Sequence, residues 1–133
     1  MNTVFLDTVG LIALWDDSDQ WHGDAQHAYA KLRSDGFKGV TTEAILLECG
    51  NAAARRPHRH DVSQLRQQLA AINGVTELTP EEWSEAWAAY DRNEAAGAGI
   101  VDQSSFLVVR RLGIRLAFTN DIHFEAAGFE TLF

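Results

Sequence analysis

Apolar and polar positions follow two periods along the chain, and the switches between them mark short strands separated by helices. Residues 3–6 form a β-branched and apolar run that ends at Asp7, and a helical stretch over residues 8–15 follows directly. A second, amphipathic helix is predicted over about residues 20–33, with Trp21, Ala25, Ala28, Tyr29 and Leu32 on one face and Gly36 closing it. Residues 39–41 read as the second strand. Thr42 is placed to cap a helix that runs through Arg56 to Pro57, with Ile45, Leu46, Cys49, Ala52 and Ala53 on its apolar side. Asp61 and Gln64 have the spacing of a capping box, ahead of a helix that carries Leu65, Leu69 and Ile72 and stops at Asn73-Gly74.

Residues 75–78 give a third strand. Thr79-Pro80-Glu81-Glu82 then combines a cap, a proline at the first helical position and an acid at the third, predicting a helix to about Glu94. Beyond the Gly97-Ala98-Gly99 break, residues 100–112 read as a helix closed by Gly113, and residues 115–118 as a fourth strand. A short helix over residues 123–127 ends at Gly128, before an edge strand at residues 130–132.

Strands that alternate with helices need crossover connections, which implies an α/β fold: a mostly parallel central sheet between two helical layers. Ligands in such sheets collect beyond the carboxyl ends of the strands. Asp7 and Asp121 each lie just past a predicted strand end, so both belong to that edge. No internal repeat is visible.

Length and composition narrow the class. A chain of 133 residues, 46% hydrophobic and 23% charged with only 2 prolines, can bury one core, so residues 1–133 are expected to form a single domain. No apolar run is long enough to span a bilayer and no cationic leader precedes one, which points to a soluble cytoplasmic protein without a membrane role. Cys49 is the single cysteine and sits in a helical apolar pattern, so it reads as a buried thiol.

The net charge of −8 would ordinarily oppose binding to nucleic acid. Carboxylates that converge on a divalent cation reverse that inference, because the cation then becomes the means of approaching a phosphate. Asp7, Glu48, Asp102 and Asp121 come from four different segments and could converge in this way. Taken singly, each has a local explanation: a helix N-terminal acid, a cap, or an exposed helical residue.

The combination resembles the PIN-domain nucleases. It is carried by Phe5-Leu6-Asp7-Thr8, by Thr41-Thr42-Glu43 through Leu47-Glu48-Cys49-Gly50-Asn51, by Asp102-Gln103-Ser104-Ser105-Phe106, and by Phe118-Thr119-Asn120-Asp121-Ile122-His123-Phe124. Order and spacing are similar to the bacterial and archaeal branch that includes VapC-type toxins, over nearly the whole chain. One departure is Val9, where relatives often carry a small polar residue. The resemblance implies a PIN-like three-layer fold with Mg²⁺ or Mn²⁺ bound by Asp7, Glu48, Asp102 and Asp121. It also implies endonucleolytic hydrolysis of RNA, leaving a 5′-phosphate and a 3′-hydroxyl. Thr119, Asn51 and Thr8 match family positions beside the pocket, where a hydroxyl or amide orients carboxylates or water. A homodimer and a cognate antitoxin are further partners that the resemblance implies.

The Arg55, Arg56, His58, Arg59, His60 group is a basic cluster that could grip an RNA backbone or, equally simply, complement a helix C-terminus. His22, His27 and His123 lack the spacing of a zinc site, and His123 falls in the first turn of the short helix. Trp83 and Trp87 share a helical face suited to the core or to a partner. Three alternatives remain: a PIN module that is not a toxin, one that only binds RNA, and an acidic-pocket phosphatase or phosphotransfer domain. The last needs a lysine at the pocket, and Lys31 and Lys38 lie early in the chain.

Overall fold

The computed structural model describes residues 2–133. Its elements are β1 (Thr3–Leu6), α1 (Thr8–Trp15), α2 (His22–Ser34), β2 (Lys38–Thr42), α3 (Glu43–Ala53), α4 (Arg59–Ala70), β3 (Val75–Thr76), α5 (Pro80–Asp91), α6 (Ile100–Arg111), β4 (Leu116–Phe118), α7 (Ile122–Ala126) and β5 (Glu130–Thr131). The five strands form one sheet in the order β3-β2-β1-β4-β5. Every pairing is parallel, as crossover connections require. No helix is long and apolar enough to cross a membrane among the described residues.

β1 is the middle strand, and its burial shows it: Val4, Phe5 and Leu6 are all within 2% of complete burial. A strand covered on both faces has to be apolar throughout, which is why its sequence does not alternate. Asp7 follows it directly and inherits that burial. Phe5 packs against Phe124 of α7 at 6.1 Å between ring centroids, and Phe124 against Phe106 of α6 at 5.0 Å. These aromatic contacts tie the elements that carry Asp102 and Asp121 to the strand that carries Asp7.

Gly10 sets how closely α1 lies on β4. A Cβ built there would fall 2.0 Å from the carbonyl oxygen of Phe118, so the close approach exists because position 10 has no side chain.

Local signals and structure agree where side chains close the caps. Thr42 Oγ1 accepts from Ile45 N, and Thr79 and Glu82 form the reciprocal capping box. Elsewhere the bounds move. The helix predicted to reach Arg56 ends at Ala53, with Ala54 at its C-cap and a turn over the residues before Pro57. The Asp61/Gln64 capping box does not form: α4 starts at Arg59 with His58 at its cap, and Asp61 lies in the first turn. β2 extends by a residue at each end. β3 stops at Thr76, since only Thr41 and Thr42 of β2 remain to pair with it.

Candidate active site

Asp7 occupies the N-cap position of α1 at the end of β1, without a side-chain capping bond and with 2% of its surface exposed. Its Oδ2 accepts a 2.8 Å hydrogen bond from Thr119 Oγ1, and the same hydroxyl oxygen accepts from Asp121 N at 3.0 Å. A buried threonine at the end of β4 thus holds the first and last of the four acids together. Asp121 caps α7, its Oδ1 accepting from His123 N at 2.9 Å.

Glu48 lies on α3, and its Oε1 accepts from Thr8 Oγ1 at 2.6 Å, which links the second acid to the residue after the first. Asp102 sits in the first turn of α6, where its Oδ2 accepts from Gly99 N at 3.0 Å. The local roles open to these residues are therefore real. Asp121 and Asp102 do bond helix N-termini, each through one carboxylate oxygen.

Electrostatics shows that the four also sense one another. Burial pushes the Asp7 carboxyl from 3.8 up to about 7; the Thr119 hydrogen bond opposes that, and the charges of Asp102 and Asp121 add to it. Glu48 is raised by burial, held back by Thr8 and raised again by Asp102. Asp102 is raised by burial, with the Gly99 N–H opposing and Asp121 adding.

No strong cation balances this crowding. Among the described residues, the Lys and Arg ion pairs go to Asp35, Glu94 and Glu82, and none reaches the four acids. Lys38 pairs in register with Thr3, at the opposite end of β1 from Asp7, which removes the lysine that a phosphotransfer site needs. Oxygen donors in mutual repulsion, drawn from separate elements, fit a hard divalent cation.

His123 is the residue that sequence reasoning missed. It lies in the first turn of α7 as expected, but single ligand atoms of Asp102, Asp121 and His123 all fall within 4.8 Å of one another. The available signal was the Asp-x-His spacing at a helix cap.

The remaining candidates sit apart. Asn51 is exposed on α3 and donates to none of the four carboxylates among the described residues. Arg55, Arg56 and Arg59 are exposed, and Arg59 is engaged with Ala54 O at 3.1 Å, just past the end of α3. Burial pushes the Cys49 thiol up to about 12, so it is no nucleophile. A cleft of about 540 Å³ between α2 and β5, lined in part by Phe37, Leu132 and Phe133, includes none of these acids.

A parallel sheet whose central strands end in crowded carboxylates is an architecture of α/β enzymes, whose sites lie beyond the carboxyl ends of the strands. Within that class the chain belongs to the PIN domain family, a family of nucleases, whose pattern matches residues 4–130. It is 30% identical over 131 residues to the 23S rRNA-specific endonuclease VapC20 of Mycobacterium tuberculosis (strain CDC 1551 / Oshkosh), with 95% of each chain covered. The protein of the same name from strain ATCC 25618 / H37Rv matches equally. The fold is similar to the crystal structure of M. tuberculosis VapC20, described as a Sarcin-Ricin loop cleaving toxin, with a TM-score of 0.76, 28% identity and 95% of each chain covered. PAE2754 from Pyrobaculum aerophilum shares the fold at a TM-score of 0.55 and 20% identity, over 98% of this chain and 91% of that one.

Proposed function

We propose that this nuclease is an endoribonuclease that uses Mg²⁺ or Mn²⁺ held by Asp7, Glu48, Asp102 and Asp121, and that it is the toxin of a type II toxin–antitoxin pair. The observation that carries the reading is a buried aspartate lifted to about 7, first by burial and then by the charges of Asp102 and Asp121, with no lysine or arginine ion pair to the four acids among the described residues. A divalent cation bound there supplies the charge that lets a phosphodiester approach, and it acidifies a water for attack. The protein's own groups hold the oxygens: Thr119 fixes Asp7, Thr8 fixes Glu48, and the Gly99 N–H fixes Asp102. Each of these bonds limits how far a carboxylate can swing away from its neighbours.

RNA is the proposed substrate because the relative named above is specific for 23S rRNA, so a structured ribosomal RNA segment is the first one to test. The products would carry a 5′-phosphate and a 3′-hydroxyl. Arg55 and Arg56, exposed and without a hydrogen bond to a helix end, are the basic side chains available to hold phosphate. A cognate antitoxin that closes the pocket and a second copy of the chain are the proposed partners, and the cytoplasm the proposed location, on the likeness to VapC-type toxins.

The test is cleavage of single-stranded and 23S rRNA fragments with Mg²⁺, Mn²⁺ or EDTA, beside Asp102→Asn prepared in parallel. Asn keeps most capping ability while losing the charge, so a cation ligand predicts a loss of about 100-fold or more at nearly unchanged metal-free stability. Cleavage that survives EDTA, or a variant that cuts at the wild-type rate, defeats the reading.

A further inference from the structure

His123 stands in the crevice without a part in the four-carboxylate scheme. Its Nδ1 lies 2.8 Å from Asp121 Oδ1, and one of its ring nitrogens falls within the 4.8 Å span that also holds an oxygen of Asp102 and one of Asp121. About a quarter of the side chain is exposed, at 27%, so it faces the crevice instead of the core. Its placement is over-determined. The backbone N–H is bonded to Asp121 Oδ1, and the next residue, Phe124, is fully buried against Phe5 and Phe106. On the far side of the ring, a Cβ at Gly97 would come within 3.4 Å of Nε2, so the glycine-broken loop ahead of α6 lies against the second nitrogen.

Three ligand atoms drawn from the starts of two helices, at the mutual spacing of groups around one ion, make His123 more than a neighbour of Asp121. We propose that His123 is a nitrogen donor to the cation site and biases it toward first-row transition metals over Mg²⁺. The inference rests on the cation reading above and deepens it.

Its chemical basis is ligand hardness. Mg²⁺ takes oxygen and sheds water reluctantly, whereas imidazole is a common ligand of divalent transition metals. Adding a nitrogen to an oxygen set therefore leaves Mg²⁺ binding almost as the carboxylates make it, and strengthens binding of an ion such as Mn²⁺ or Co²⁺.

The experiment combines a spectrum with a selectivity ratio. Pulsed paramagnetic resonance of the Mn²⁺-loaded protein reads nitrogen nuclear modulation from a coordinated ring. Calorimetric titration gives Mn²⁺ and Mg²⁺ affinities for wild type, His123→Asn and His123→Ala. Asn retains an N–H near the Nδ1 position and can keep a contact with Asp121, but it offers no imidazole lone pair. The expected result is nitrogen modulation in the wild type that both variants lose. The preference for Mn²⁺ over Mg²⁺ should fall by about tenfold or more, the lower end of what disturbing a metal site costs. Melting temperatures in EDTA confirm that the variants are folded.

Wild-type protein that binds Mn²⁺ without nitrogen modulation overturns this inference and leaves the cation site standing. So does a His123→Asn variant with an unchanged metal preference. Wild-type protein that binds neither ion overturns the cation site itself, and this inference with it.

Discussion

Thr119 Oγ1 donates to Asp7 Oδ2 at 2.8 Å, joining residues 112 positions apart, while the same oxygen receives the backbone N–H of Asp121. One buried hydroxyl thus orients two acids. Thr119→Val keeps the shape and removes both bonds. It should cost about 1–3 kcal/mol for the groups left without partners. Activity should fall by roughly 10–100-fold. Thr119→Ser should restore most of both. Melting curves and cleavage rates for the pair decide it, and wild-type activity in the valine variant would remove Thr119 from the site.

Asp7 gives the metal-free protein a pH signature of definite sign. Its proton leaves near 3.8 in the unfolded chain and near 7 in the folded one, so between those values the folded state holds more protons. The stabilisation of the protonated form is complete below about pH 4, declines through the interval and is gone above about pH 7. Asp7→Asn should therefore match the wild type near pH 4 in EDTA, and exceed it near pH 8 by an amount on the order of a few kcal/mol. Mn²⁺ should then raise the wild-type melting temperature more than the variant's. A variant less stable than wild type at the higher pH would contradict the burial of a charged Asp7.

Gly10→Ala inverts a familiar rule. Alanine in a helix interior is normally favoured over glycine by about 1 kcal/mol. Here the new methyl would meet the Phe118 carbonyl at 2.0 Å, against backbone that cannot rotate away. Overpacking of this kind costs about 1–3 kcal/mol, so the substitution should lower the midpoint of urea unfolding. It should also reduce cleavage, because α1 carries Asp7 at its start. A midpoint at or above wild type would show that α1 can shift freely.

We expect a second copy of the chain to dock on the α5 face. Trp87 is 50% exposed and Tyr90 46%, and their rings meet edge to face at 5.5 Å. Such exposed aromatic area is costly in a monomer. Sedimentation at roughly tens of micromolar should find a dimer, within reach of ordinary homodimer affinities, and Trp87→Glu should shift it to monomer. A monomeric wild type at that concentration would count against this face.

What the sequence made legible follows how local each signal is. Thr79 and Glu82 close their box through side chains three residues apart, and the structure keeps it. Asp61 and Gln64 have the same spacing but no box, because the turn after α3 brings the chain into α4 three residues earlier, with His58 at the cap. Asp7 and Asp121 could be assigned to one edge from topology alone, since each follows a strand of a parallel sheet. Glu48 and Asp102 needed the family pattern, as helix positions say nothing of what they face. His123 had a local signal in its Asp-x-His spacing to Asp121, but its nearness to Asp102 depends on how Phe124 seats α7 against Phe106, a packing outcome that spacing does not carry.

The strand order has a kinetic meaning. β1 is made first yet lies in the middle of the sheet, with β2 on one side and β4 on the other. Asp7 and Glu48 belong to the part of the chain that builds β1 to β3, while Asp102 and Asp121 arrive with the crossover that brings β4 to β1. Pairings that close long loops are slow relative to local ones. On the proposed site, a chain that has assembled its first three strands, whether nascent or truncated, would hold two of the four acids and lack the other two. The proposed four-acid site is then complete only once β4 has joined β1.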